Sequence, residues 1–144
     1  MESLAPNLFV KDINATIDFY RLLGFQLAMS VPNEAQGSPD KGPDKSPVSP
    51  SPISPLWAMM TNGKVTMMFQ TVESLGDTLP AISRKDGGSL LLYINLTDIR
   101  GFFESIKDKV TILNGLEKTF YGATEFSILD NNNYVLTFAE HEAH

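Results

Sequence analysis

The sequence predicts an α+β fold in which one strand–helix–strands plan is used twice. Three observations lead there: an internal repeat at a shift of 86 residues, one helix-period apolar stripe, and two turn signals set between alternating strands. In the repeat, Leu8 aligns with Ile94, Val10 with Leu96 and Asp12-Ile13 with Asp98-Ile99, while Ile17 and Tyr20 align with Phe103 and Ile106.

In chain order, the first strand runs through Asn7-Leu8-Phe9-Val10. The helix after it is expected to start at Asn14 as N-cap and to stop at Gly24. Residues 32–55 hold seven of the nine prolines among five serines, so the stretch is neither a helix nor a central strand. It reads as an inserted, semi-extended surface loop of 24 residues, or as a docking peptide through Pro47-Val48-Ser49-Pro50, and it leaves a 120-residue body. Thr61-Asn62-Gly63-Lys64 predicts a two-residue hairpin, with Asn62 and Gly63 supplying positive φ; that register sets Met59 against Thr66 and Trp57 against Met68. In the second half, Ile99, Phe102, Phe103 and Ile106 make a single helical stripe with Thr97 before it. Glu125–Leu129 and Tyr134–Ala139 flank a turn at Asp130-Asn131-Asn132-Asn133, where Asn133 can take a left-handed conformation. The modules are expected at about 1–73 and 88–140.

Composition narrows the chemistry. With 17 acidic against 11 basic residues, the net charge of −6 argues against nucleic acid as a partner. No apolar run is long enough to span a membrane, and Met1–Pro6 lacks a signal-peptide pattern. With no cysteine, the expected location is the cytoplasm, and disulfides, thiolate metal sites and a thiol nucleophile are excluded. Both histidines, His141 and His144, fall in the last four residues, so imidazole chemistry is expected to be absent from the body of the fold and His141 to lie in a frayed terminus. Asp86-Gly87-Gly88-Ser89 is a turn and not a phosphate loop. Asp12 and Asp98 are read as residues preceding helix starts, and Glu125 as structural.

Pro6 to Asp12-Ile13, continuing through Thr16-Ile17-Asp18-Phe19-Tyr20 and Leu23-Gly24-Phe25, resembles the opening module of the glyoxalase/bleomycin-resistance/dioxygenase superfamily, the vicinal oxygen chelate fold. Tyr121-Gly122-Ala123-Thr124-Glu125-Phe126 through Tyr134 resembles its closing hairpin. The resemblance implies two βαβββ modules, each half of a cup formed by a mixed sheet, commonly completed in a homodimer. It also implies four metal-ligand positions, which fall here on Ala5, Met68, Leu91 and Thr137. None of these side chains is a carboxylate or an imidazole. No metal and no cofactor is therefore expected.

Strand alternation places Asn7 with Phe9, Trp57 with Met59, Met68 with Gln70, and Tyr93 with Asn95 on the face turned away from the helices. Asn7, Trp57, Met59, Met68, Gln70, Tyr93 and the rim residue Tyr121 are the candidate ligand-binding residues. They suit a small aromatic or apolar, possibly cationic, molecule; the competing reading is plain packing of a small sheet. Metal-independent binding in the manner of bleomycin-resistance proteins is the expected function. The alternative is a lyase, isomerase or dioxygenase of the same superfamily with non-standard metal ligation.

Overall fold

A computed structural model describes residues 1–31, 55–77, 79, 80, 82, 83, 85 and 87–143. The expectations for residues 32–54, Asp86 and His144 lie outside the described residues. The chain divides into two compact units, Met1–Arg84 and Lys85–His144. In the first, β1 (Asn7–Val10), α1 (Ile13–Leu22), β2 (Gln26–Val31), β3 (Trp57–Asn62) and β4 (Val65–Thr71) lead into a short α2 (Val72–Leu75). The sheet order is β1-β4-β3-β2, with β1 parallel to β4 and the other pairs antiparallel. The second repeats the plan with β5 (Leu91–Asn95), α3 (Ile99–Ile106), β6 (Thr111–Lys118), β7 (Ala123–Leu129) and β8 (Val135–His141), ordered β5-β8-β7-β6 with β5 parallel to β8. The βαβββ plan thus occurs twice, as the sequence predicts.

The two longer helices, α1 and α3, each begin on an aspartate. Asp12 has an extended backbone and its carboxylate accepts from Ala15 N at 3.1 Å, so Asp12 and not Asn14 is the N-cap of α1; Asn14 lies inside the helix. Asp98 plays the same part for α3 in place of Thr97, with φ of 57° and its carboxylate taking Gly101 N at 3.3 Å. Glu140 of β8 takes the next orphan donor, Ile99 N, at 2.9 Å. α1 closes on Gly24 at φ +97°, where Phe25 N bonds Tyr20 O and Gly24 N bonds Arg21 O, a Schellman arrangement.

The buried face of each sheet packs its own core. In the first unit Leu8, Val10, Ala58, Met60, Met67 and Phe69 are buried together with Ile13, Ile17 and Tyr20 of α1; the Tyr20 ring stands 4.8 Å from Phe69 and 5.5 Å from Phe25. In the second, Phe126 and Phe138 of the sheet meet Phe102 and Phe103 of α3 at 4.9–6.0 Å between ring centroids.

The β3–β4 hairpin corrects the expected register. Asn62 pairs with Val65, so the loop is Gly63-Lys64, Met59 stands opposite Met68 and Trp57 opposite Gln70. Only Gly63 takes positive φ (60°), because Asn62 stays in β3 and its amide donates to Leu23 O at the end of α1, 3.3 Å away. The slip is two residues, one full strand period, so every side chain keeps its predicted face. In the β7–β8 turn Asn133 takes φ 66°, as expected. Buried Asp130 holds that turn by accepting from Asn132 N at 2.7 Å and Tyr134 N at 2.9 Å. A Cβ on Gly87 would lie 2.5 Å from Asn133 O, so the chain passes this turn only as glycine.

Candidate functional site

In the first unit five of the predicted residues share the sheet face turned away from α1. Asn7 lies opposite Met68 across the parallel β1–β4 pair, Met59 opposite Met68, and Trp57 opposite Gln70; all five are half-buried while their strand neighbours are buried. Asn7 Nδ2 donates to Gln70 Oε1 at 3.0 Å, and Gln70 Nε2 passes the chain on to Ser74 Oγ at 3.0 Å. These amides bond each other and do not cap strand ends. Asn7 Oδ1 is buried and has no partner among the described residues. The result is an indole and two thioethers beside an amide pair with one unmet acceptor.

The second unit carries different chemistry on the matching face. Tyr93 and Tyr121 converge on one oxygen of Glu125: Tyr93 Oη donates to Oε2 at 2.5 Å and Tyr121 Oη to the same atom at 2.6 Å. His141 Nε2 lies 3.2 Å from Tyr93 Oη. A phenol has a single hydrogen, and Tyr93 gives it to Glu125, so the imidazole is the donor in that contact. The order is His141 N–H to Tyr93 O–H to Glu125. The hydrogen bond to Glu125, with desolvation and the carboxylate charge adding, holds the Tyr93 hydroxyl far above the ordinary phenol range. Tyr121 is raised for the same reasons in the same order. Beneath them Ser127 Oγ and Thr137 Oγ1 share a 2.8 Å hydrogen bond.

Sequence reasoning missed two residues here. His141 ends β8, paired with Ala123, so an imidazole does stand in the folded body and not in a frayed tail. Counting alternation two residues beyond Ala139 would have put it on the Tyr93 face. Glu125 was read as structural, yet its side chain accepts both phenols. The register Glu125–Ala139 carried the signal, since directly paired residues share a face.

The four positions that the family resemblance makes metal ligands do not fit a divalent cation. Asn7 faces Met68 and Tyr93 faces Thr137, so Met68 and Thr137 hold equivalent registers in the two sheets. One carries a thioether, and the other a buried hydroxyl already bonded to Ser127. Leu91 is apolar and half exposed, and Ala5 has no donor. Among the described residues no three His, Cys, Asp or Glu side chains come together. None of the seven predicted residues lines either of two surface hollows of about 580 and 630 Å³, one around Asp98, Arg100, Glu140 and His141 and the other around Arg21 and Gln26. No helix among the described residues is long and apolar enough to cross a membrane.

The profile of the Glyoxalase/Bleomycin resistance protein/Dioxygenase superfamily matches residues 4–138. No curated protein matches the sequence significantly. Among solved structures, a protein of unknown function from Agrobacterium tumefaciens str. C58 is similar at 20% identity and TM-score 0.69, over 99% of this chain and 95% of that one. A glyoxalase/bleomycin resistance protein/dioxygenase family enzyme from Burkholderia phytofirmans PsJN matches at 20% identity and TM-score 0.66, over 94% and 95%. A bleomycin resistance determinant encoded on the transposon Tn5 matches at 17% identity and TM-score 0.62, over 99% and 100%. At these identities the likeness is one of fold.

Proposed function

The chain belongs to the glyoxalase/bleomycin resistance/dioxygenase superfamily, and on that premise we propose that it binds a small aromatic or apolar molecule without a metal, in the manner of a bleomycin-resistance protein. The observation that carries this reading is the open face of the first sheet. Trp57, Met59 and Met68 present a stacking surface there, beside the Asn7–Gln70 amide pair. An unmet buried acceptor costs about 1–3 kcal/mol. A ligand donor reaching Asn7 Oδ1 offsets that cost and fixes the ligand's orientation. The family's ligand positions supply no donors suited to a hard cation, which favours binding over metal catalysis. In this reading a second copy of the chain completes the binding surface, and the protein acts in the cytoplasm, in keeping with its lack of cysteine.

Trp57 is the sole tryptophan, so its emission reports this face directly. Titration with a panel of planar aromatic compounds is expected to quench or shift Trp57 emission saturably for at least one of them. Met68→Ala should then weaken that binding several-fold, as expected for a thioether contact of about 1 kcal/mol against a ring. A panel that leaves the emission unchanged, or binding indifferent to Met68→Ala, removes the reading.

A further inference from the structure

The second unit carries a cluster that stacking of an apolar ligand does not use. Glu125 receives both phenolic hydrogens on Oε2, and its other oxygen, Oε1, carries no hydrogen bond among the described residues. Among the described residues no lysine or arginine is paired with it; Arg21 pairs with Asp18, Lys107 with Glu104 and Lys118 with Glu142. Glu117 stands directly opposite Glu125 across the β6–β7 pair, which turns both carboxylates to one face. Like charges in that relation repel. The next residue, Lys118, is held away by Glu142 at 3.0 Å.

Aromatic groups gather beside Glu125. The Tyr93 and Tyr121 rings lie 6.1 and 6.5 Å from the His141 ring, centroid to centroid, and Phe120 stands edge-on to Tyr121 at 5.0 Å. Tyr93, Tyr121 and Phe120 are 44, 50 and 98% exposed, so the group is open to a ligand. Its hydrogen-bond capacity is one-sided. Both phenol hydrogens are spent on Oε2 and the imidazole N–H on Tyr93, leaving lone pairs on Oε1 and on the phenol oxygens. An anion finds repulsion and no donor. A neutral acceptor finds no donor. A protonated amine brings hydrogens for the lone pairs, charge for the two carboxylates, and a cation for the ring faces.

We propose that the Tyr93–Glu125–Tyr121 cluster is an amine site that takes a protonated alkylammonium group, with Glu117 supplying the second negative charge. The inference deepens the functional reading and rests on it only in taking the protein to bind a small molecule on an open sheet face.

The test titrates the full chain with benzylammonium and with benzyl alcohol, its neutral analogue, following the Tyr93, Tyr121 and His141 ring resonances. Benzylammonium is expected to bind at least tenfold more tightly, with affinity falling as salt rises. Glu125→Gln should abolish that preference, and Glu117→Gln should reduce it several-fold. Tyr93→Leu, which removes a ring and one phenol hydrogen bond but leaves both carboxylates in the chain, should also weaken it, and unfolding curves for each variant verify that it is folded. Equal binding of the two probes, or a preference that survives Glu125→Gln, overturns the proposal. Saturable Trp57 quenching by aromatic compounds without an amine preference leaves the first reading standing and removes this one. An amine preference that depends on Glu125, without any Trp57 response, does the reverse.

Discussion

The two sheets can be laid over one another through their hydrogen-bond registers. Asn7 faces Met68 as Tyr93 faces Thr137, and Met59 faces Met68 as Ser127 faces Thr137. One step further, Trp57 faces Gln70 as Glu125 faces Ala139. Position for position, the first unit puts its large aromatic on the third strand and an amide on the first. The second puts a carboxylate on the third strand and the aromatic on the first. The shared plan lies in the buried faces, and the chemistry has diverged on the open ones. Buried positions answer to packing within one sheet–helix layer, whereas an open face is restrained only by what it touches.

If the scaffolds are equivalent, matched core truncations should cost alike, and these are the largest effects expected. Phe69 and Phe138 hold the same register position and are 0 and 2% exposed. Phe69→Ala and Phe138→Ala should each lower unfolding stability by about 3–5 kcal/mol in urea titrations. A cost below about 1 kcal/mol at either site would break the equivalence. The hairpin turns should separate the units at intermediate size. Asp130→Ala strands two backbone N–H groups in a buried turn and should cost about 1–3 kcal/mol. Gly63→Ala meets no neighbouring atom and pays only for its positive φ, about 1 kcal/mol. Reversal of that order would show that the second turn is held by something other than Asp130.

The smallest effect is the most specific to the second unit. Tyr93 and Tyr121 should ionise above the ordinary phenol value of about 10 when phenolate absorbance is followed against pH. Both shifts are upward in the folded state. Their contribution to stability is therefore whole below pH of about 10 and is lost as pH rises through the raised folded values. Glu125→Gln should bring both phenols back toward the ordinary range. Ordinary titration of both Tyr93 and Tyr121 would show that the phenol–carboxylate contacts do not form in solution.

Much of this was legible in residues alone, because faces follow a period of two. Trp57, Met59, Met68 and Gln70 kept their side of the sheet even though the hairpin register was wrong by two. The turn itself was not legible. Asn-Gly and Gly-Lys both place glycine in a two-residue loop, and the choice falls to a tertiary contact, Asn62 to the carbonyl of Leu23. The caps at Asp12 and Asp98 were visible as acids before helices, but which residue leaves helical geometry is decided by local backbone angles. The Glu125 cluster was hidden for another reason. Tyr93 and Glu125 lie 32 residues apart and Tyr93 and His141 lie 48 apart, and only pairing across three strands brings them together.

Both sheets pair their first strand with their last, in parallel. During synthesis this imposes a wait. Asn7 cannot meet Gln70 until 63 further residues have been added, and Tyr93 cannot meet His141 until 48 have followed. At a ribosomal rate of roughly 5–20 residues per second, the nascent first strand stays unpaired for roughly 3–13 s, and the fifth for roughly 2–10 s. For those seconds Leu8 and Val10, later among the most buried side chains of the chain, are apolar surface within reach of any chaperone.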